Sequence, residues 1–191
     1  MRTLGRLRRV FEIVGGLMVD VAGWSYFLAA LLICVEIIGR SYLHFNVPAV
    51  TEITSYILAL GISWGLAGAL TEKAHIRIEA VVEMLPRRPR AYLHAFALGM
   101  LAFIAVFFTW ASWQVIEESL LFNGRDTSAL SISLLIPQIP WSVGIALFAG
   151  LATTMFLETG VLIVQGRHSD VNERLAPRSI EELTEEVIEA L

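Results

Sequence analysis

Five ionisable residues lie in or beside strongly apolar stretches of this sequence, where charged side chains are rare. They are Asp20, Glu36, Arg40, Glu52 and Glu158. Carboxylates and a guanidinium at membrane depth can form a proton relay, an ion pathway or a structural ion pair. We expect each of them near the end of a predicted span and none at a span's centre. The sequence therefore favours interface ion pairs or subunit contacts over a transport pathway.

The spacing of these residues gives each a specific expectation. Glu36 precedes Arg40 by four residues, the order that favours an ion pair on one helix face. Glu52 opens a predicted helix, where the helix dipole stabilises a carboxylate. Asp20 is expected near the inner end of the first span.

Other chemistries find no support in the sequence. It contains no phosphate-binding glycine loop, no Cys or His cluster spaced for a metal, and no nucleophile with a neighbouring base. The single cysteine, Cys34, excludes an intramolecular disulfide. The sequence therefore predicts a protein that is not an enzyme and that holds no cofactor or metal.

The composition predicts an integral membrane protein. Of the 191 residues, 56% are hydrophobic and only 17% charged, whereas soluble domains carry about 25% charged residues. A bilayer core of about 30 Å needs about 20 mostly apolar residues per helix. Four stretches contain no Asp, Glu, Lys or Arg: 21–35, 53–71, 91–116 and 127–157. We therefore predict an all-α fold with four transmembrane helices, at about 18–39, 52–71, 92–116 and 138–163.

The basic residues predict the orientation in the membrane. Twelve of the 14 Lys and Arg residues lie in the two termini and in the loop between spans two and three. By the positive-inside bias, both termini and that loop are cytoplasmic. Because the basic residues match the inner leaflet, we expect the lipid bilayer as a partner and no nucleic acid.

Two segments flank the predicted transmembrane domain, 18–164, and carry more charge than it does. Residues 1–17 are basic with interspersed apolar residues, which predicts an amphipathic lead-in on the inner leaflet. Residues 165–191 form an acidic tail, in which a capping box at Ser179 and Glu182 predicts a short amphipathic helix over 180–190.

Small residues and tryptophans suggest how the spans pack. Gly61, Gly65 and Ala69 recur at four-residue spacing in span two, which lets helix backbones approach closely. Trp141 is expected at the outer interface with the two tryptophans of span three, and Trp64 deeper in the bundle.

Several strings in this arrangement resemble the small membrane subunit of the tripartite ATP-independent periplasmic (TRAP) transporters, the DctQ-like family. Span two begins with Glu52 and is followed by a histidine-containing string with His75, Arg77 and Glu79. Ser128 and, further on, Ile136-Pro137 are similar to the family's approach to its fourth span. The resemblance covers about 15–165.

The resemblance implies a division of labour. A periplasmic binding protein captures a small solute, commonly an organic acid, and a large membrane subunit moves it inward with a sodium gradient. The small subunit, in the bacterial inner membrane, is expected to brace the large subunit and to help receive the binding protein. Four charged residues of an outward-facing loop are candidates for that contact: Glu117, Glu118, Arg125 and Asp126.

Two other interpretations remain open at this point. A self-sufficient small transporter or channel would need a polar site in the middle of a span. A haem- or quinone-binding anchor subunit of an enzyme would need an axial ligand inside the bundle, whereas the four histidines fall in predicted loops, in the tail or at the start of a span.

Overall fold

A computed structural model describes residues 2–42, 49–71, 86–127 and 130–175 of the chain. Within these ranges the regular structure is helical, with one isolated β-bridge between Arg125 and Ser133. The helices are α1 (Arg2–Tyr42), α2 (Ala49–Thr71), α3 (Arg87–Leu121), α4 (Leu135–Val164) and α5 (His168–Leu175).

Four helices are long and apolar enough to cross a membrane, which confirms the predicted number. The 41 residues of α1 form one continuous helix, so the predicted lead-in over 1–17 and the first span are a single element. The predicted tail helix over 180–190 lies outside the described residues, as do His75, Arg77, Glu79 and Ser128.

Prolines and one glycine mark the ends of the long helices. Pro86 directly precedes α3, and Pro137 lies in the first turn of α4, where a missing N–H removes no helical hydrogen bond. Pro140 lies inside α4 and removes the donor that would bond the carbonyl of Ile136. Gly166 adopts a φ of 73° after α4, a left-handed conformation that suits glycine and ends the helix.

Helix α4 is the centre of the bundle. It contacts each of the other four described helices, whereas α3 contacts only α4 and α5. Its inward face contributes fully buried Leu151 and Ala152, which pack with residues such as Leu98 of α3 and Ala67 of α2. Large apolar side chains such as Phe103 face outward, as expected for helices surrounded by lipid.

Small residues set how closely α4 and α2 approach. A Cβ built on Gly144 would lie 2.6 Å from Cδ1 of Trp64 and 2.9 Å from the backbone carbon of Ser63. The indole of Trp64 donates a hydrogen bond of 2.8 Å to the carbonyl of Pro140. Trp64 therefore packs against the first turns of α4, level with Trp141 rather than deeper in the bundle.

The contact between α1 and α2 includes Gly61 of the predicted row and adds Gly68, which lies outside it. Gly61 lies against the ring of Tyr26, and Gly68 lies against Val19. A Cβ on Gly65 would meet no described atom within 4 Å, and Ala69 is half-buried. The close approach therefore runs through Gly61 and Gly68, seven residues apart, on one face of α2.

Candidate functional site

We call the end of the bundle where α1 leads to α2 and α3 leads to α4 the hairpin end, and the opposite end the terminal end. At the hairpin end the α3–α4 connection folds back on itself. Asp126 N donates a hydrogen bond of 2.9 Å to the carbonyl of Ile132, and Leu134 N donates one of 3.1 Å to the carbonyl of Gly124. The left-handed φ of 47° at Asn123 starts this turn, and asparagine tolerates that conformation well.

Two contacts hold this folded connection on the first turns of α2. The hydroxyl of Tyr56 donates a hydrogen bond to Oδ2 of Asp126. The backbone N–H of Leu130 donates one of 3.4 Å to Oε2 of Glu52. We call Glu52, Tyr56, Asp126 and Leu130 the hairpin-end clamp. It joins the start of α2 to a connection that lies 70 to 78 residues later in the chain.

The four predicted docking residues have different surroundings. Asp126 is half-buried in the clamp, and Arg125 is exposed, with Nη1 3.4 Å from the carbonyl of Ser131. Glu117 and Glu118 are exposed on the last turns of α3. The indole of Trp113 donates a hydrogen bond of 3.0 Å to Oε1 of Glu117. Glu117, Glu118 and Arg125 therefore present charge at the surface, whereas Asp126 bonds inside the protein.

The predicted pair on α1 also lies toward the hairpin end. Nε of Arg40 is 3.8 Å from Oε1 of Glu36. The Glu36 side chain is only 14% exposed and that of Arg40 is 62% exposed, so the arginine covers the carboxylate from the outside. Sequence spacing was sufficient to predict this contact, because both residues lie on one helix.

A second ionic cluster lies at the terminal end. Nε of Arg8 is 2.7 Å from Oε1 of Glu12 on the next turn, and Nη1 of Arg8 is 3.3 Å from Oε2 of Glu158 on α4. Next to it, Phe11 lies against Gly150. The first turns of α1 therefore pack along α4. The sequence carried no signal for this pairing, since the partners are 150 residues apart.

A groove of about 1010 Å³ runs along α3 and α4 between the two ends. It is lined by Leu7 and Phe11 of α1 at one end and by Trp110 and Trp113 of α3 toward the other. None of its lining residues is ionisable. Among the described residues, no group of three or more His, Cys, Asp or Glu is placed to hold a metal ion. The described helices thus offer apolar and packing surfaces.

Comparison with known protein families matches residues 29–162, more than half of the chain, to the tripartite ATP-independent periplasmic transporters, DctQ component. The matched range covers the last third of α1, all of α2, α3 and the hairpin-end clamp, and nearly all of α4. Comparisons with curated proteins and with solved structures found no match. With four helices able to cross a membrane, this multi-pass membrane protein belongs to the DctQ family of TRAP transporter components.

Proposed function

We propose that this chain is the non-catalytic small membrane subunit of a sodium-coupled TRAP importer for a small organic acid. In this proposal it braces the large membrane subunit in the bacterial inner membrane. Both termini are cytoplasmic, the hairpin end faces the periplasm, and that end helps to dock the periplasmic binding protein. The histidine-containing string with His75, Arg77 and Glu79 then lies in the cytoplasmic loop.

The hairpin-end clamp is the observation that supports this role most directly. A surface that receives another protein repeatedly gains affinity from being held in one conformation before contact. The bonds from Tyr56 to Asp126 and from Leu130 to Glu52 hold the α3–α4 connection on α2. Beside this fixed connection, Glu117, Glu118 and Arg125 present exposed charges, which favour rapid and specific association with a complementary surface.

The apolar character of the described bundle supports a bracing rather than a transporting role. The groove along α3 and α4 has no ionisable lining residue, and small residues such as Gly144 bring helices together in the bundle. A transport pathway for an organic acid and sodium would need ionisable or available polar groups along its length. In this groove the hydroxyls of Thr109, Ser112 and Thr154 instead donate hydrogen bonds to carbonyls of their own helices. We therefore assign translocation to the large subunit.

Uptake measurements test the docking role. Reversal of both charges in Glu117→Lys/Glu118→Lys is expected to lower solute uptake by cells, while the amounts of small and large subunit in the membrane stay unchanged. The matched control is Glu117→Gln/Glu118→Gln, which removes the charges without reversing them and should give a smaller loss. Equal uptake by the wild-type and Lys variants, at equal subunit levels, would contradict this docking surface.

A further inference from the structure

Asp20 lies near the middle of α1 and faces away from the bundle. Its neighbours Met18 and Ala22 are buried, with 8% and 4% of their surface exposed, whereas Asp20 is exposed. In a helix of 3.6 residues per turn, position 20 lies nearly opposite both of them. Within the described parts of the chain, no hydrogen bond or ion pair joins Asp20 to another residue. The carboxylate is therefore on the outer surface of the described bundle.

The contacts of its neighbours on α1 place Asp20 level with apolar parts of two other helices. Val19 contacts Gly68 of α2. A Cβ on Gly15 would lie 3.4 Å from Ala67 of α2 and 3.6 Å from Leu147 of α4. The two helices α1 and α4 run antiparallel and have the same rise per residue. Asp20 lies five residues after Gly15, so it is level with the residue about five positions before Leu147, which is residue 142 of α4.

We place the hydrocarbon core along the charge-free part of α4. The level of residue 142, and Trp141 with it, then lies inside the core, whereas the sequence predicts Asp20 near the inner end of the first span and Trp141 at the outer interface. The charge-free part of α4, 135–157, is only slightly longer than the roughly 20 residues that a bilayer core requires. Any placement of the core within that part includes residue 142. An unpaired carboxylate that faces lipid at this depth is unfavourable, and such residues usually face protein or water instead. The outer face of α1 is therefore expected to be covered by protein in the assembled complex.

The surroundings of Asp20 on that face suit close contact with another helix. Gly16 and Gly23 flank Asp20 along α1, and a Cβ on either would meet no described atom within 4 Å. Small residues at a helix surface let a second backbone approach closely. Helix α1 is also the least buried of the four long helices. In its most apolar stretch only 11% of the residues are buried, compared with 44% in that of α4. We call Gly16, Asp20, Gly23 and Phe27 the Asp20 face.

We propose that the Asp20 face binds a transmembrane helix of the large membrane subunit, and that Asp20 pairs there with a lysine or arginine of that helix. The proposal rests on the proposed function, which supplies the large subunit. A second copy of this chain is a poor occupant, because a two-fold contact would bring two Asp20 carboxylates together. The chain's own tail is also poor, since residues 176–191 contain five glutamates and one arginine.

Site-specific photo-crosslinking tests which protein covers the face. A photoreactive amino acid at Gly16 or Gly23 has room, because neither position meets a described neighbour. In native membranes that contain the whole transporter, both positions should crosslink to the large subunit. Phe108 of α3 is the control and should not, because it is 54% exposed and, counted from the contact of Gly99 with Phe156, lies level with about residue 147 of α4. Crosslinks from 16 and 23 to lipid alone, to a second copy, or to residues 72–85 of the same chain would overturn the proposal.

Substitution of Asp20 tests the pairing. If Asp20 pairs with a cation of the large subunit, removing its charge weakens the complex, whereas removing an unpaired charge that faces lipid would not. Asp20→Leu should weaken retention of the large subunit by about tenfold, since its cation would lose its partner in the membrane, whereas Asp20→Glu should retain it. The purified small subunit alone should be as stable with Asp20→Leu as without it, or more stable. Full retention of the large subunit by Asp20→Leu would overturn the pairing.

The outcomes separate this inference from the proposed function. If the wild-type chain does not co-purify with a large membrane subunit, the proposed function fails. Suppose instead that the wild type co-purifies with the large subunit, that Asp20→Leu retains it fully, and that positions 16 and 23 do not crosslink to it. Then only the Asp20 face is refuted.

Discussion

The hydroxyl of Tyr56 donates a hydrogen bond to the carboxylate of Asp126, joining α2 to the α3–α4 connection across 70 positions of sequence. Neither residue belongs to a motif that predicts this partner. The bond turns Asp126, a residue expected to contact another protein, into part of the internal clamp at the hairpin end. The surface beside it keeps Glu117, Glu118 and Arg125 exposed.

Removal of the Tyr56 hydroxyl should loosen the clamp. We expect Tyr56→Phe to lower the melting temperature of the purified protein by a few degrees, because the Asp126 carboxylate loses a charge-assisted hydrogen bond. Hydrogen exchange over 122–134 should rise at the same time. Tyr92→Phe is the matched control, because no hydrogen bond of its hydroxyl is found in the described part of the chain. Equal exchange in Tyr56→Phe and wild type would show that the clamp does not hold the connection.

A methyl group at the contact between α2 and α4 should be poorly tolerated. Gly144→Ala would place a Cβ 2.9 Å from the backbone carbon of Ser63, so two helix backbones must separate. Overpacking of this kind costs about 1–3 kcal/mol of unfolding free energy. Gly160→Ala in the same helix is the control, because its Cβ meets no described atom within 4 Å. We expect that variant to match or exceed the wild type in thermal unfolding, and a Gly144→Ala protein of wild-type stability would contradict the predicted overlap.

Loss of Arg8 should detach the beginning of α1 from α4. Arg8→Met removes both ion pairs of this guanidinium and leaves the Glu158 side chain, which is 14% exposed, without that partner. We expect a loss of about 1–2 kcal/mol, with faster hydrogen exchange in the first turns of α1. Arg9→Met, at an exposed neighbouring position, should change little. If Arg9→Met and Arg8→Met lower stability equally, loss of the contact between Arg8 and Glu158 does not explain the destabilisation.

The turn after α4 should require glycine. Gly166 has a φ of 73°, and its backbone N–H donates a hydrogen bond of 2.9 Å to the carbonyl of Ile163. Gly166→Ala is expected to cost about 1 kcal/mol of stability, because L-residues with a Cβ are strained in this conformation. Gly166→Asn should cost less, since asparagine tolerates the left-handed region. Thermal unfolding of the three proteins would rank them, and an alanine variant as stable as the wild type would contradict the strain.

The sequence by itself determined the properties that depend on neighbours along the chain. Charge-free stretches of membrane length predicted four spanning helices, and the structure has four helices that can cross a membrane. The spacing of Glu36 and Arg40 predicted their proximity, because positions four apart meet on any α-helix. The ordered strings around the second and fourth spans predicted the family, which the match over residues 29–162 confirms.

Only the tertiary structure decided how the helices are aligned along one another. Contacts at Gly144, Gly61 and Gly68 fix that alignment, and no local spacing encodes which residues of two distant helices meet. The alignment pairs Arg8 with Glu158, brings Asp126 to Tyr56, and sets Asp20 level with charge-free parts of α2 and α4. Helical periodicity specifies which residues share a face, whereas the fit of side chains between helices specifies their depth.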